Sequence, residues 1–206
     1  PIFFYVHIPF CEQLCWFCTC SKFITKNYEN VKDYLKYLYK EIDLLFNYLN
    51  KNKIKLNVGT VYFGGGSPTY LNREDLKELV DKLKSLFDWS NVGNFTIETD
   101  PRRVDVDRLF YNHKVCGANR ISFGMQDFDP TVQRRVNREQ SAELFEKLLT
   151  KEVRKAYKTI AFDLLIGQPG QTPETMAKTC DEIIKLRPTL VQLSLMAYKP
   201  WIAKYQ

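Results

Sequence analysis

Apolar and polar positions follow two rhythms along this chain. Short apolar runs of strand length recur at residues 2–8, 58–63, 95–99, 119–123, 160–166 and 190–196, rich in the β-branched and aromatic side chains that suit strands. Between them the period lengthens. Val31, Leu35, Leu38, Ile42, Leu45 and Leu49 are spaced by four and three, marking one face of a helix over residues 30–50. Asn72 stands as N-cap of a second helix that turns Leu76, Leu79, Val80, Leu83 and Leu86 inward. Residues 106–115 predict a short helix ending before Gly117, and Ser141 caps one carrying Leu144, Phe145, Leu148 and Leu149. Thr172 suits an N-cap and Pro173 the first helical position of a helix that ends by Arg187, before Pro188.

Six strands alternating with helices predict an α/β fold built on a parallel sheet. The run at residues 160–166 is nearly all apolar, as expected of a strand covered on both faces. Two architectures fit this pattern: an open doubly wound sheet, or a partial TIM-like (β/α)6 barrel with parallel strands inside and helices outside. Periodicity does not separate them. In both, the loops after the strand C-termini form the active face, and a cysteine-rich loop, a triglycine and Gly167 all fall there.

With 206 residues, 45% hydrophobic and 26% charged, the chain reads as one domain over residues 1–206. It begins inside the first strand and stops soon after the sixth, and so reads as a fragment or trimmed domain. No apolar run approaches the roughly 20 residues of a membrane span, and no signal peptide is visible, which predicts a cytoplasmic protein with reduced thiols. The net charge of +6, from 30 basic and 24 acidic residues, comes without the basic run of a nucleic-acid binder. Most lysines, Lys32, Lys36, Lys40, Lys77, Lys82 and Lys84 among them, read as solvated helix positions.

Four of the six cysteines, Cys11, Cys15, Cys18 and Cys20, fall within ten residues directly after the first strand. Soft thiolates at C-x3-C-x2-C spacing wrap one compact metal centre, either an iron-sulfur cluster or zinc. A structural zinc closes its shell with four ligands and would recruit Cys20. A 4Fe-4S cluster held by three thiolates leaves one iron open to a ligand. Spacing alone leaves both possible, while a reducing compartment and so short a loop disfavour disulfides. Cys116 and Cys180 read as small packing residues.

The residues around those cysteines go further. C-x3-C-x-F-C following Y-V-H-I-P-F resembles the cluster loop of the radical S-adenosylmethionine (SAM) enzymes, and with Cys20 added it resembles the oxygen-independent coproporphyrinogen III oxidase family. Gly64-Gly65-Gly66-Ser67-Pro68-Thr69, Glu98-Thr99-Asp100-Pro101-Arg102, the stretch from Asn119 to Phe128, and Arg138 are similar to that family's further motifs, in its order, with Ser67 where threonine is common. Alone, each has a plainer reading. The glycines suit a tight turn, Glu98 a solvated or capping group, Arg138 the surface and His7 a strand histidine bonded to backbone. Asp163, an acid in an apolar strand, needs a partner in any reading.

The resemblance implies the partial barrel, with Cys11, Cys15 and Cys18 binding a 4Fe-4S cluster whose open iron is chelated by SAM. It places Tyr5, Gly64, Gly65 and Glu98 at that SAM. Phe17, Gly66, Ser67, Gln126, Arg138, Asp163 and Ala197 would line a second SAM, with His7 and Cys20 accessory. It further implies reductive cleavage of SAM to a 5'-deoxyadenosyl radical and oxidative decarboxylation of two propionates of coproporphyrinogen III, giving protoporphyrinogen IX. A tetrapyrrole substrate, an electron donor such as a flavodoxin or ferredoxin, and a monomer are expected. The family's N-terminal extension and C-terminal helical domain find no counterpart in these residues. The alternatives are a related radical SAM methyltransferase or cyclopropane-forming enzyme, a heme chaperone, and a zinc-stabilised binding module without catalysis.

Overall fold

The computed structural model describes all residues, Pro1–Gln206. In chain order the elements are β1 (Ile2–Ile8), β2 (Phe10–Cys11), β3 (Phe23–Ile24), α1 (Glu29–Lys51), β4 (Val58–Gly65), α2 (Arg73–Lys84), β5 (Asn94–Thr99), α3 (Val106–Lys114), β6 (Arg120–Gln126), α4 (Pro130–Arg135), α5 (Ala142–Leu148), α6 (Lys151–Ala156), β7 (Thr159–Ile166), α7 (Pro173–Leu186) and β8 (Leu190–Leu195). Single 3-10 turns follow β4 at Pro68–Tyr70 and β5 at Pro101–Arg103. The expected caps form: the side chains of Asn72, Ser141 and Thr172 accept the amides of Asp75, Leu144 and Thr175.

Strand order decides between the two architectures. The main sheet runs β1-β4-β5-β6-β7-β8, every pair parallel. A doubly wound sheet reverses its strand order at a switch point. Here the order never reverses, so right-handed crossovers stack every helix on one side and leave the other side open. This is the partial barrel, with β1 and β8 as its two unjoined edges.

The outer rows hold the core: Val6 and Ile8, Val61 and Phe63, Phe95 and Ile97, Ile121, Phe123 and Met125, then Ile160, Phe162 and Leu164. Phe145 of α5 seats edge-on against Phe162 and Phe123, with ring centroids 5.0 and 5.7 Å apart. The inner rows are polar: Tyr5 and His7, Tyr62, Thr96 and Glu98, Ser122 and Gln126, Asp163. β7 is therefore covered by helices on one face only, which corrects the expectation of two.

Other boundaries shift for identifiable reasons. Phe46, not Leu45, completes the inner face of α1, since 42 to 46 to 49 keeps the helical stripe; Leu45 is 41% exposed. Gly64 and Gly65 continue β4, pairing with His7 and Ile8 instead of making the turn. α4 and α6 lie where no helix was expected, although Asp129-Pro130 and Thr150 carry ordinary capping chemistry. Cys116 is buried as expected, but Cys180 is exposed on α7 and is not a packing residue.

Candidate functional site

The cysteine loop is pinned at both ends before it does any chemistry. β2 and β3 pair in parallel, and the amides of Phe23 and Thr25 donate to the carbonyls of Pro9 and Cys11 at 2.7 and 2.9 Å. A second anchor is Asn137, whose amide nitrogen donates to Leu14 O and whose oxygen accepts from Gln13, both at 2.8 Å. Trp16 N also donates to Val136 O at 2.8 Å. His7 supplies a third: its Nε2 donates to Ser21 O at 2.9 Å, which leaves Nδ1 to accept from Tyr5 OH at 3.1 Å.

All four loop cysteines open on one cavity of about 890 Å³ at the C-terminal end of the sheet, shared with Phe17, Gly65, Gly66, Ser67, Glu98, Gln126, Arg138 and Asp163. The fold thus gathers most of the residues singled out in the sequence. Tyr5, His7, Gly64 and Ala197 are not among the residues that line it. Tyr5 stacks on Tyr62 with centroids 6.0 Å apart, and the Ala197 carbonyl accepts from Gln206 at 3.0 Å.

The triglycine allows the loop to lie directly on the sheet. A Cβ at Gly66 would sit 2.5 Å from the Pro9 carbonyl oxygen, and Gly65, at φ +119°, would place one 2.8 Å from the His7 ring. Glu98 is fixed beside them: Tyr62 OH donates to Oε1 at 2.8 Å and Gly65 N to Oε2 at 3.0 Å. Burial outweighs those bonds and raises its pKa. Asp163 finds its required partner in Ser122, whose hydroxyl donates at 2.7 Å. Burial raises that pKa as well.

Gln126 reaches the cavity because the β6–β7 register slips between Gly124 and Gln126, where Gln126 takes φ 70°; bulges re-aim side chains in this way. Its neighbour Asp127 is structural, buried and accepting from the Asp129 amide, Thr179 and Gln171 at 2.6 to 2.8 Å.

Arg138, which alone reads as a surface residue, is buried. Its guanidinium donates to Gly124 O at 2.8 Å, to Gln140 Oε1 at 3.2 Å, to Asp100 Oδ2 at 3.2 Å and towards Cys15 Sγ at 3.6 Å. Burial pushes the Asp100 carboxyl up, but its hydrogen bonds with Arg102 and the charge of Arg138 outweigh this and hold it below its ordinary value. Asp100, Arg102, Asn137 and Gln140 are site residues that pattern reasoning left without a role. The D-P-R that follows Glu98 was the available signal.

The thiols differ from one another. Burial, with the neighbouring sulfurs, pushes Cys11 up to about 12. A hydrogen bond from Cys18 lowers Cys20 to about 7 and raises Cys18 itself. The donor set suits a cluster better than a single ion. Thiolates spaced around a roomy polar cavity are what an iron-sulfur cluster takes.

Residues 5–183 match the model of the radical SAM superfamily, and the chain belongs to that superfamily, whose members work with a 4Fe-4S cluster and SAM. More particularly, it is 37% identical over 203 residues to the oxygen-independent coproporphyrinogen III oxidase of Pseudomonas aeruginosa, covering 97% of this chain and 43% of that enzyme. The solved coproporphyrinogen III oxidase of Escherichia coli superposes with TM-score 0.89 at 35% identity, over 99% of this chain and 46% of that one. The sequence therefore spans less than half the length of these relatives. A radical SAM methyltransferase from Kitasatospora setae, at TM-score 0.62 and 15% identity over 93% of this chain and 35% of that one, shares the fold. No helix is long and apolar enough to cross a membrane.

Proposed function

We propose that residues 1–206 form the catalytic barrel of an oxygen-independent coproporphyrinogen III oxidase, which converts two propionates of its substrate to vinyl groups with loss of carbon dioxide. The observation that carries this reading is the single cavity shared by Cys11, Cys15 and Cys18 with Glu98, Gln126, Arg138 and Asp163, in a chain 37% identical to such an enzyme.

When bound, the cluster and SAM supply one-electron reductive cleavage of a carbon-sulfur bond and hence hydrogen abstraction. Cys11, Cys15 and Cys18 would hold the cluster and leave one iron without a protein ligand. Glu98, oriented by Tyr62 and the Gly65 amide, offers its carboxylate to the ammonium group of one SAM beside Tyr5, Gly64 and Gly65. Gln126, Arg138 and Asp163, with Phe17, Gly66, Ser67 and Ala197, are assigned to a second SAM. Arg138 is suited there to a carboxylate and Asp163 to hydroxyl or amino donors. The polar inner rows orient the ligands, and the helices behind them exclude water from below. Lys22, Lys26, Arg73 and Arg108 line the same cavity, a positive edge suited to a tetra-anionic tetrapyrrole. Electrons would come from a flavodoxin- or ferredoxin-like donor, to a monomer in the cytoplasm.

The test is anaerobic reconstitution followed by reaction with coproporphyrinogen III and labelled SAM, with a reductant supplied for the cluster and a one-electron acceptor for the substrate radical that hydrogen abstraction leaves. Vinyl products with 5'-deoxyadenosine and released carbon dioxide are expected. Methyl transfer from SAM, or a colourless protein with one zinc and no sulfide, would overturn the reading. Ligand counting under the same conditions should return two SAM per chain.

A further inference from the structure

Beside Cys15 stands a mostly buried charge, Arg102, that the ligand assignments above leave without a role. Arg102 grips Asp100 with two bonds, Nε to Oδ1 at 3.0 Å and Nη2 to Oδ2 at 2.7 Å. Asp100 Oδ2 also accepts from Arg138 Nη1 at 3.2 Å. Both guanidinium groups then turn the same way. Arg138 Nη1 lies 3.6 Å and Arg102 Nη2 4.0 Å from Cys15 Sγ, while Arg102 Nη1 reaches Gln13 Oε1 in the same loop at 3.5 Å. The side chains of Arg102, Asp100 and Arg138 are 16%, 13% and 11% exposed, so water screens them little. Two permanent positive charges and one negative charge leave a net positive charge against a single sulfur.

We propose that Arg102 is a positioning residue for the cluster's electron affinity: it holds a positive charge at the Cys15 thiolate and so eases the one-electron reduction on which SAM cleavage depends. The inference rests on the reading of Cys15 as a cluster ligand. Reduction adds one negative charge to the thiolate-bound centre, and a nearby cation stabilises the reduced form more than the oxidised one. Hydrogen bonds and charges at the sulfurs are among the levers that set such potentials. Without Arg102, Arg138 and Asp100 would form a neutral pair and the bias would vanish. With Asp100 neutralised and both arginines kept, it would grow.

The experiment is a dithionite titration of the anaerobically reconstituted chain, followed by electron paramagnetic resonance, with iron and sulfide counted in each sample. Arg102→Gln should lower the reduction equilibrium constant about tenfold to a hundredfold, a shift of roughly 59 to 118 mV to more negative potential at about 59 mV per tenfold for one electron. Arg102→Lys should restore most of it, and Asp100→Asn should shift it the other way. A purely structural clamp would move Arg102→Gln and Asp100→Asn in the same direction. That result, an unchanged potential in loaded Arg102→Gln, or loss of the cluster from both variants would overturn the inference. If wild type takes up no iron and sulfide, the cluster reading itself falls and this inference with it.

Discussion

The two faces of the sheet are made by the same strands and obey opposite rules. On the outer face Phe63, Phe95, Phe123 and Phe162 are sealed beneath helices with no exposure above 1%. On the inner face the alternate residues Tyr62, Glu98, Ser122 and Asp163 keep polar atoms that satisfy one another in pairs. Because side chains alternate along a strand, each core phenylalanine is one residue from a position on the polar inner face. Stability and chemistry are thus separated by direction and not by distance.

Substitutions of adjacent residues should therefore have unrelated effects. The largest is expected on the site side. Cys15→Ala should abolish cluster uptake and SAM cleavage, measured as iron, sulfide and 5'-deoxyadenosine, with the far-ultraviolet circular dichroism retained. Residual cleavage after dithionite reduction would break the ligand assignment. Next comes the opposite face: Phe123→Ala should cost about 3–5 kcal/mol in urea unfolding, because it opens a cavity under Phe145 and Phe162. A loss confined to SAM binding would show that the faces are not separable.

One position along, Ser122→Ala removes the hydroxyl that donates to Asp163. It should cost about 1–3 kcal/mol, most of it at a pH where Asp163 is charged, with weaker SAM binding if the proposed role of Asp163 holds. Comparing urea midpoints at low and high pH checks this. The smallest effect is the pH slope of the ligand-free protein. Burial raises the Glu98 pKa in the folded state, so its favourable contribution is complete below the ordinary value of 4.5 and is lost as pH rises through the raised value. Glu98→Gln should gain stability relative to wild type over that rise. Asp100 behaves oppositely. Its contribution is present above the ordinary 3.8 and is lost as pH falls through the lowered value, so Asp100→Asn should lack that acid-side loss.

The sequence carried the outer face more plainly than the inner one. Stripes such as Leu76, Leu79, Val80 and Leu83 announce their helices because burial demands a period, and caps at Asn72 and Thr172 follow from orphan amides. Closure was not written in any such rhythm. It follows from strand order, a long-range property that distinguishes the partial barrel from a doubly wound sheet only once the partners of β4 and β7 are known. The cysteine spacing and its flanks identified the loop. The groups that hold it were harder to see, because Asn137 and Arg102 meet it from residues more than 80 positions away in the chain, and an arginine that will be buried looks like any other until its acceptors are assembled. Leu45 and Phe46 show the limit of spacing itself, since either fits a stripe and only packing chooses.

β1 and β8 never meet. A fully closed ring of strands has a bore set by strand number and stagger, so its width changes only in steps. A ring left unjoined is free of that arithmetic. The spacing of its first and last strands is not held by a ladder between them. Within these residues β1 and β8 each carry one edge without a strand partner, the kind of rim that can accept another strand.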